Sequence, residues 1–173
     1  MAAGLTAGTA AATVSFLTHK DLLLSDHDRL ARWIAESGDV GLIADPTDAR
    51  SIGPATLRRW VRTSEAAMMV TVDAEPIAFA TLSRAEAELP PGFLEACHII
   101  VRPEWRRLYH GTNLVYTLCR EARWRGFGNL VGRVFPTNHP ARELLSSAGW
   151  SLIQDSRAWM IDGFVWYDRH VMV

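Results

Sequence analysis

Residues 98–122 read HIIVRPEWRRLYHGTNLVYTLCREA. The run up to Val101 has the β-branched character of a strand end, Pro103 interrupts it, and a basic loop holding Arg106 and Arg107 leads into a helix at about Gly111. Leu114, Val115, Leu118 and Ala122 fall on one face of that helix, and Gly126-Phe127-Gly128 ends it. A helix N-terminus offers unpaired amides and the positive end of a dipole, so the junction suits an anion such as a pyrophosphate. Gly111, having no side chain, permits a ligand to approach the backbone.

Working outward, the pattern upstream changes from a helical period to alternation. Ala12 to Leu17 reads as a first strand, Asp26 to Ser37 as a helix with Leu30, Trp33 and Ile34 on one side, and about Ala55 to Thr63 as a second helix. Between the helices, SGDVGLIADPTDARSIGP reads as a long irregular loop whose Asp39, Asp45 and Asp48 are either solvated turn residues or an attraction for a cationic amine. AAMMVTVD and PIAFATLSRAEAEL form a hairpin about Ala74-Glu75, and FLEACHIIV is the third strand in succession. Downstream, LVGRVF is a strand, Asn138 caps a helix with Pro140 in its first turn, and Gly149 stops it. Two closing strands, Trp150 to Ile161 and Phe164 to Val171, turn at Asp162-Gly163. The order is strand, two helices, three strands, helix, strand, helix, two strands: an α/β chain with a parallel strand pair and a crevice at its centre.

At 173 residues the expectation is a single domain, with 1–11 a disordered tail. The 18 basic and 19 acidic side chains leave a net charge of -1, which supplies no field for nucleic acid, so phosphate recognition must be local. Cys97 and Cys119, the 2 cysteines, have no metal-ligand or CxxC spacing; a metal site and a disulfide framework are not expected, and a reducing cytoplasm fits. The apolar start lacks the basic region of an export signal, and no run is long enough to span a bilayer. Cys97 and His98, adjacent on a strand, point to opposite faces unless a bulge intervenes, so Cys97 reads as a small core residue. Trp33 and Trp60 are packing residues or walls of an acceptor pocket.

The central stretch resembles the GNAT (Gcn5-related N-acetyltransferase) acyltransferases. Their pyrophosphate loop, Gln/Arg-x-x-Gly-x-Gly/Ala after a Val-x-Pro-like turn, is matched by Val101-Arg102-Pro103 followed by Arg106-Arg107-Leu108-Tyr109-His110-Gly111, with Tyr109 in place of the first glycine. Asn138-His139-Pro140-Ala141 and Gly149-Trp150 match the family's Asn-x-x-Ala helix ending in Gly-aromatic. The resemblance covers 66–173 by motif and the earlier part by element order. It implies a mixed, mostly antiparallel sheet with a central parallel pair and flanking helices. It also implies an acyl-CoA core over 66–173 and an acceptor side over 12–65.

The reaction implied is transfer of an acetyl group from acetyl-CoA, without a metal, to a primary amine of a small molecule or protein in a ternary complex. Glu95, eleven residues before Arg106, matches the general base of histone-type members. Backbone amides of Ile99, Ile100 and Val101 would stabilise the oxyanion, and Arg106, Arg107, Leu108, Tyr109, His110, Gly111 and Thr112 would hold the pyrophosphate, with Asn138 also on the coenzyme. Where the family places a tyrosine acid, seven residues after the asparagine, this chain has Leu145, leaving Ser146, Tyr116 or Tyr109 as substitutes or an unassisted thiolate. Alternatives are a GNAT-like acyl-CoA-binding or regulatory domain without turnover, and an acyltransferase using a longer donor on an amino sugar or antibiotic-like metabolite. Partners are an acyl-CoA and an amine, with neither nucleic acid nor membrane; an exposed final strand offers an edge for a homodimer.

Overall fold

The computed structural model describes residues 14–18, 24–36, 52–84, 89–155, 160 and 163–171. The elements are β1 (Val14–Thr18), α1 (Leu24–Glu36), α2 (Pro54–Thr63), β2 (Ala66–Val72), β3 (Glu75–Ser83) and β4 (Phe93–Val101). A 3-10 turn at Pro103–Trp105 precedes α3 (His110–Trp124), β5 (Asn129–Val134), α4 (His139–Ser147), β6 (Ser151–Leu152) and β7 (Val165–His170). The tail at 1–11 and the aspartates of the long loop lie outside the described residues.

One 7-stranded sheet runs β1-β2-β3-β4-β5-β7-β6. Its pairs are antiparallel except β4 with β5, the parallel pair that the strand, helix, strand order demands. Both faces are covered. Met68, Val70 and Val72 of β2 pack with Leu114, Val115 and Leu118 of α3, while Ala67 and Met69 of the same strand pack with Leu30 and Ile34 of α1 and Leu57 and Trp60 of α2. That is period-two alternation with apolar residues on both sides, as a strand inside two helical layers requires.

The hairpin turn is Asp73-Ala74 rather than Ala74-Glu75. Both residues have positive φ, 48° and 66°, the twist that a two-residue link between antiparallel strands needs. Of the expected strand Trp150 to Ile161, the described residues form strand at Ser151–Leu152 (β6) and not at 153–155; the rest of it, but for residue 160, and the expected turn at Asp162 lie outside the described residues. Nor is the final strand an edge, because β7 sits between β5 and β6, and the outer strands are β1 and β6. Asn138 caps α4 as expected, its side chain accepting the Ala141 N–H at 3.2 Å, and Gly149 leaves the helix with φ 78°.

Candidate active site

The site is built where β4 and β5 part. They are in register only at Phe93↔Asn129, Leu94↔Leu130 and Glu95↔Val131, although β4 continues to Val101 and β5 to Val134. From Ala96 on, β4 is no longer in register with β5, and the two strands part to leave a cleft between them.

Along that stretch β4 carries a bulge. Its register with β3 slips between Phe79↔Ile100 and Thr81↔Cys97, which puts one extra residue on β4, and His98 takes a φ of 54° to absorb it. Leu94 and Ala96 lie on the α3 side before the bulge and Ile99 and Val101 after it, whereas Ile100 faces α1 and α2. His98 therefore does not point away from Cys97 as simple alternation requires. Its Nδ1 lies 2.9 Å from Oγ1 of Thr81, the residue in register with Cys97, and its ring stacks on Trp60 at 3.7 Å. The Cys97 thiol is held to the Glu95 carbonyl oxygen at 3.7 Å, and burial pushes its pKa well up, which makes it a poor nucleophile. Trp60 is buried against the α1 layer yet touches the site through His98; Trp33 is core.

Beyond Val101 the chain closes on itself through Arg106, whose Nε donates to the Val101 carbonyl at 2.9 Å. Arg107 and Tyr109 both have positive φ, 60° and 63°, and Tyr109 is the residue immediately before α3. The backbone thus takes at Tyr109 the conformation for which glycine is favoured, at a cost of roughly 1–2 kcal/mol for an L-residue. Its side chain is 76% exposed and does not fill the junction. No side chain caps α3, and the first amide after Tyr109 with a backbone acceptor outside regular elements is that of Asn113, so the N–H groups of His110, Gly111 and Thr112 remain for a ligand. Trp105 meets His110 edge-on at 5.6 Å.

Gly111 has a packing role that the sequence reading does not give it. A Cβ there would stand 3.3 Å from Leu144 Cδ2 and 3.4 Å from Val101 Cγ2, so the glycine lets α3 close on α4 and the end of β4.

Glu95 sits at the last position of β4 that is paired with β5 and is 1% exposed. Arg133 of β5 donates through Nε to its Oε1 at 2.7 Å, and Oε2 is buried without a partner. Burial pushes the Glu95 carboxyl up to about 7, with the Cys97 thiol pulling against it. The Arg133 guanidinium at that distance favours the ionised form, which is populated increasingly as the pH rises through that value. Sequence reasoning missed Arg133; its signal was a lone charge in the otherwise apolar LVGRVF, two places past Val131 and so on the same face. Leu145, in place of the expected acid, is core at 2% exposure, while Tyr109, Tyr116 and Ser146 are exposed. A cavity of about 400 Å³ lies at the other end of the sheet, among Phe93, Asn129, Gly149 and Arg169, away from this cleft.

Among the described residues no cluster of His, Cys, Asp or Glu could hold a metal ion, and no helix is long and apolar enough to cross a membrane. No curated protein matches the chain. Solved structures do. The chain is similar to an acetyltransferase of the GNAT family from Staphylococcus aureus Mu50, with TM-score 0.72 at 12% identity over 92% of this chain and 100% of that one. The PaiA N-acetyltransferase of Thermoplasma acidophilum in complex with coenzyme A gives 0.71 at 12% identity, over 91% of this chain and 99% of that one. YncA from Salmonella typhimurium, with its cofactor acetyl-CoA, gives 0.70 at 15%, over 94% and 95%. The family model described as Acetyltransferase (GNAT) family matches residues 26–150, from the first helix through the parted strands to the glycine and tryptophan after α4, and the chain belongs to that family.

Proposed function

We propose that this chain is an N-acetyltransferase that takes the acetyl group of acetyl-CoA to a primary amine by direct attack in a ternary complex. The observation that carries the reading is the parting of β4 from β5 after Glu95, with the loop into α3 beside it. Residues 66–173 form the acyl-CoA core and 12–65 the acceptor side of one domain working in the cytoplasm.

The diphosphate sits on the amides of His110, Gly111 and Thr112, with Arg106 and Arg107 supplying charge and Leu108 and Tyr109 completing the turn. The thioester lies along Ile99 to Val101, and an amide of that segment receives the carbonyl oxygen as it becomes an oxyanion. Asn138, at the mouth of α4, closes the far side of the coenzyme. The neutral amine attacks the carbonyl carbon; the nitrogen loses its proton through a water to Oε2 of Glu95, and the C–S bond breaks. An ordinary ammonium holds its proton to about pH 10, so a base is required. The thiolate leaves unassisted, which its moderate pKa tolerates.

A second reading, a coenzyme-binding domain without turnover, is favoured by the burial of Glu95 and by Leu145 where an acid is expected. Thiol release from acetyl-CoA in the presence of an amine library separates the two: release that depends on both the amine and Glu95 supports the enzyme. Coenzyme binding without release with any amine supports the binding domain.

A further inference from the structure

The acceptor side of the cleft holds one arrangement that the reaction above does not use. His98 keeps a left-handed backbone, φ 54°, and two neighbouring elements hold its side chain there. Its ring lies on that of Trp60 in α2, the centroids 3.7 Å apart and the planes 14° from parallel, and its Nδ1 is 2.9 Å from Oγ1 of Thr81 in β3. A residue with a Cβ persists in that conformation only where its surroundings over-determine it, and such residues gather at ligand sites. Trp60 is 4% exposed and Thr81 0%, whereas His98 is half-buried, so the accessible surface of the stacked pair is the imidazole. His98 also directly precedes Ile99 and stands past Glu95, the last residue of β4 paired with β5. An amine approaching the thioester from the α1 and α2 face passes this ring.

We infer that His98, backed by Trp60, is a specificity-determining wall of the acceptor pocket and selects amines that carry a flat aromatic ring close to the amino group. A ring fixed on both Trp60 and Thr81 has little rotamer freedom left to lose when a second ring lies against it. Stacking of this kind adds about two- to tenfold in affinity beyond the area it buries. The inference rests on the reading of 12–65 as the acceptor side.

The test is calorimetric titration of 2-phenylethylamine and of 2-cyclohexylethylamine, which has the same reach without a flat ring, into the protein saturated with coenzyme A. The wild type is expected to bind the phenyl compound about two- to tenfold more tightly. His98→Leu, close in volume and without a flat ring, is expected to abolish the difference, and His98→Phe to keep it, while coenzyme affinity stays the same in all three. An equal ratio in the wild type and His98→Leu overturns the inference. So does binding of neither amine to a protein that does bind coenzyme A, a result that leaves the coenzyme site standing. Failure to bind coenzyme A at all overturns the acetyltransferase reading itself, and the inference with it.

Discussion

As the proposed base, Glu95 has to be ionised to take a proton, and its burial works against that. A carboxyl raised to about 7 is increasingly protonated as the pH falls through that value, so the base is lost on the acid side and present above it. We therefore expect kcat/KM to fall tenfold per pH unit below about 7 and to level off above, until the amine or another group intervenes. Glu95→Gln should lower kcat by about 10²- to 10⁴-fold and remove this limb, measured as thiol release. Arg133 supports the same charge from β5. Arg133→Met strands a buried carboxylate, and a stability loss of about 3–5 kcal/mol is expected in denaturant melts. Tyr109→Gly makes the opposite case: it relieves a left-handed tyrosine whose ring is mostly in solvent, and should stabilise the fold by about 1 kcal/mol without weakening coenzyme binding. At this scale the sequence was partly legible. Glu95 was singled out through the family resemblance, but its partner could not be, because an ion pair across two parallel strands depends on a pairing register that no local pattern states.

Among the elements, β4 carries most of the proposed site, and its bulge shapes it. Alternation along FLEACHIIV would turn His98 from Glu95 and Cys97; the extra residue instead places it beside Thr81, and brings Ile100 round to the α1 and α2 layer. Nothing in that stretch announces a bulge, since His98 is not glycine and the strand stays apolar on both sides of it. The entry to α3 was more legible, because a strand, a proline, arginines and a glycine follow one another as a phosphate-binding junction does. The role of Gly111 was not, since it depends on Leu144 of α4. Two substitutions separate its packing role from its helical one. Gly111→Ala should be close to neutral, as about 1 kcal/mol of helix propensity offsets the squeeze on Leu144. Gly111→Leu should cost about 1–3 kcal/mol by thermal melting, because the added carbons have no room.

Over the whole molecule, the order of elements and the existence of one parallel pair were readable from periodicity and turn residues, and the sheet order realises them. The closing strands were less so: the apolar run after Trp150 suggests a long strand, yet among the described residues the strand paired with β7 is Ser151–Leu152. What the fold contributes to the proposed function is the divergence of β4 and β5, which depends on the pairing of two strands and is written in neither segment alone. Into it we place the thioester, with its diphosphate on the start of α3. Hydrogen exchange read by mass spectrometry, with and without saturating coenzyme A, tests that placement most directly. Slower exchange in peptides covering 99–101 and 108–112 is predicted; unchanged exchange in both, with the coenzyme bound or protecting some other part of the chain, would contradict it.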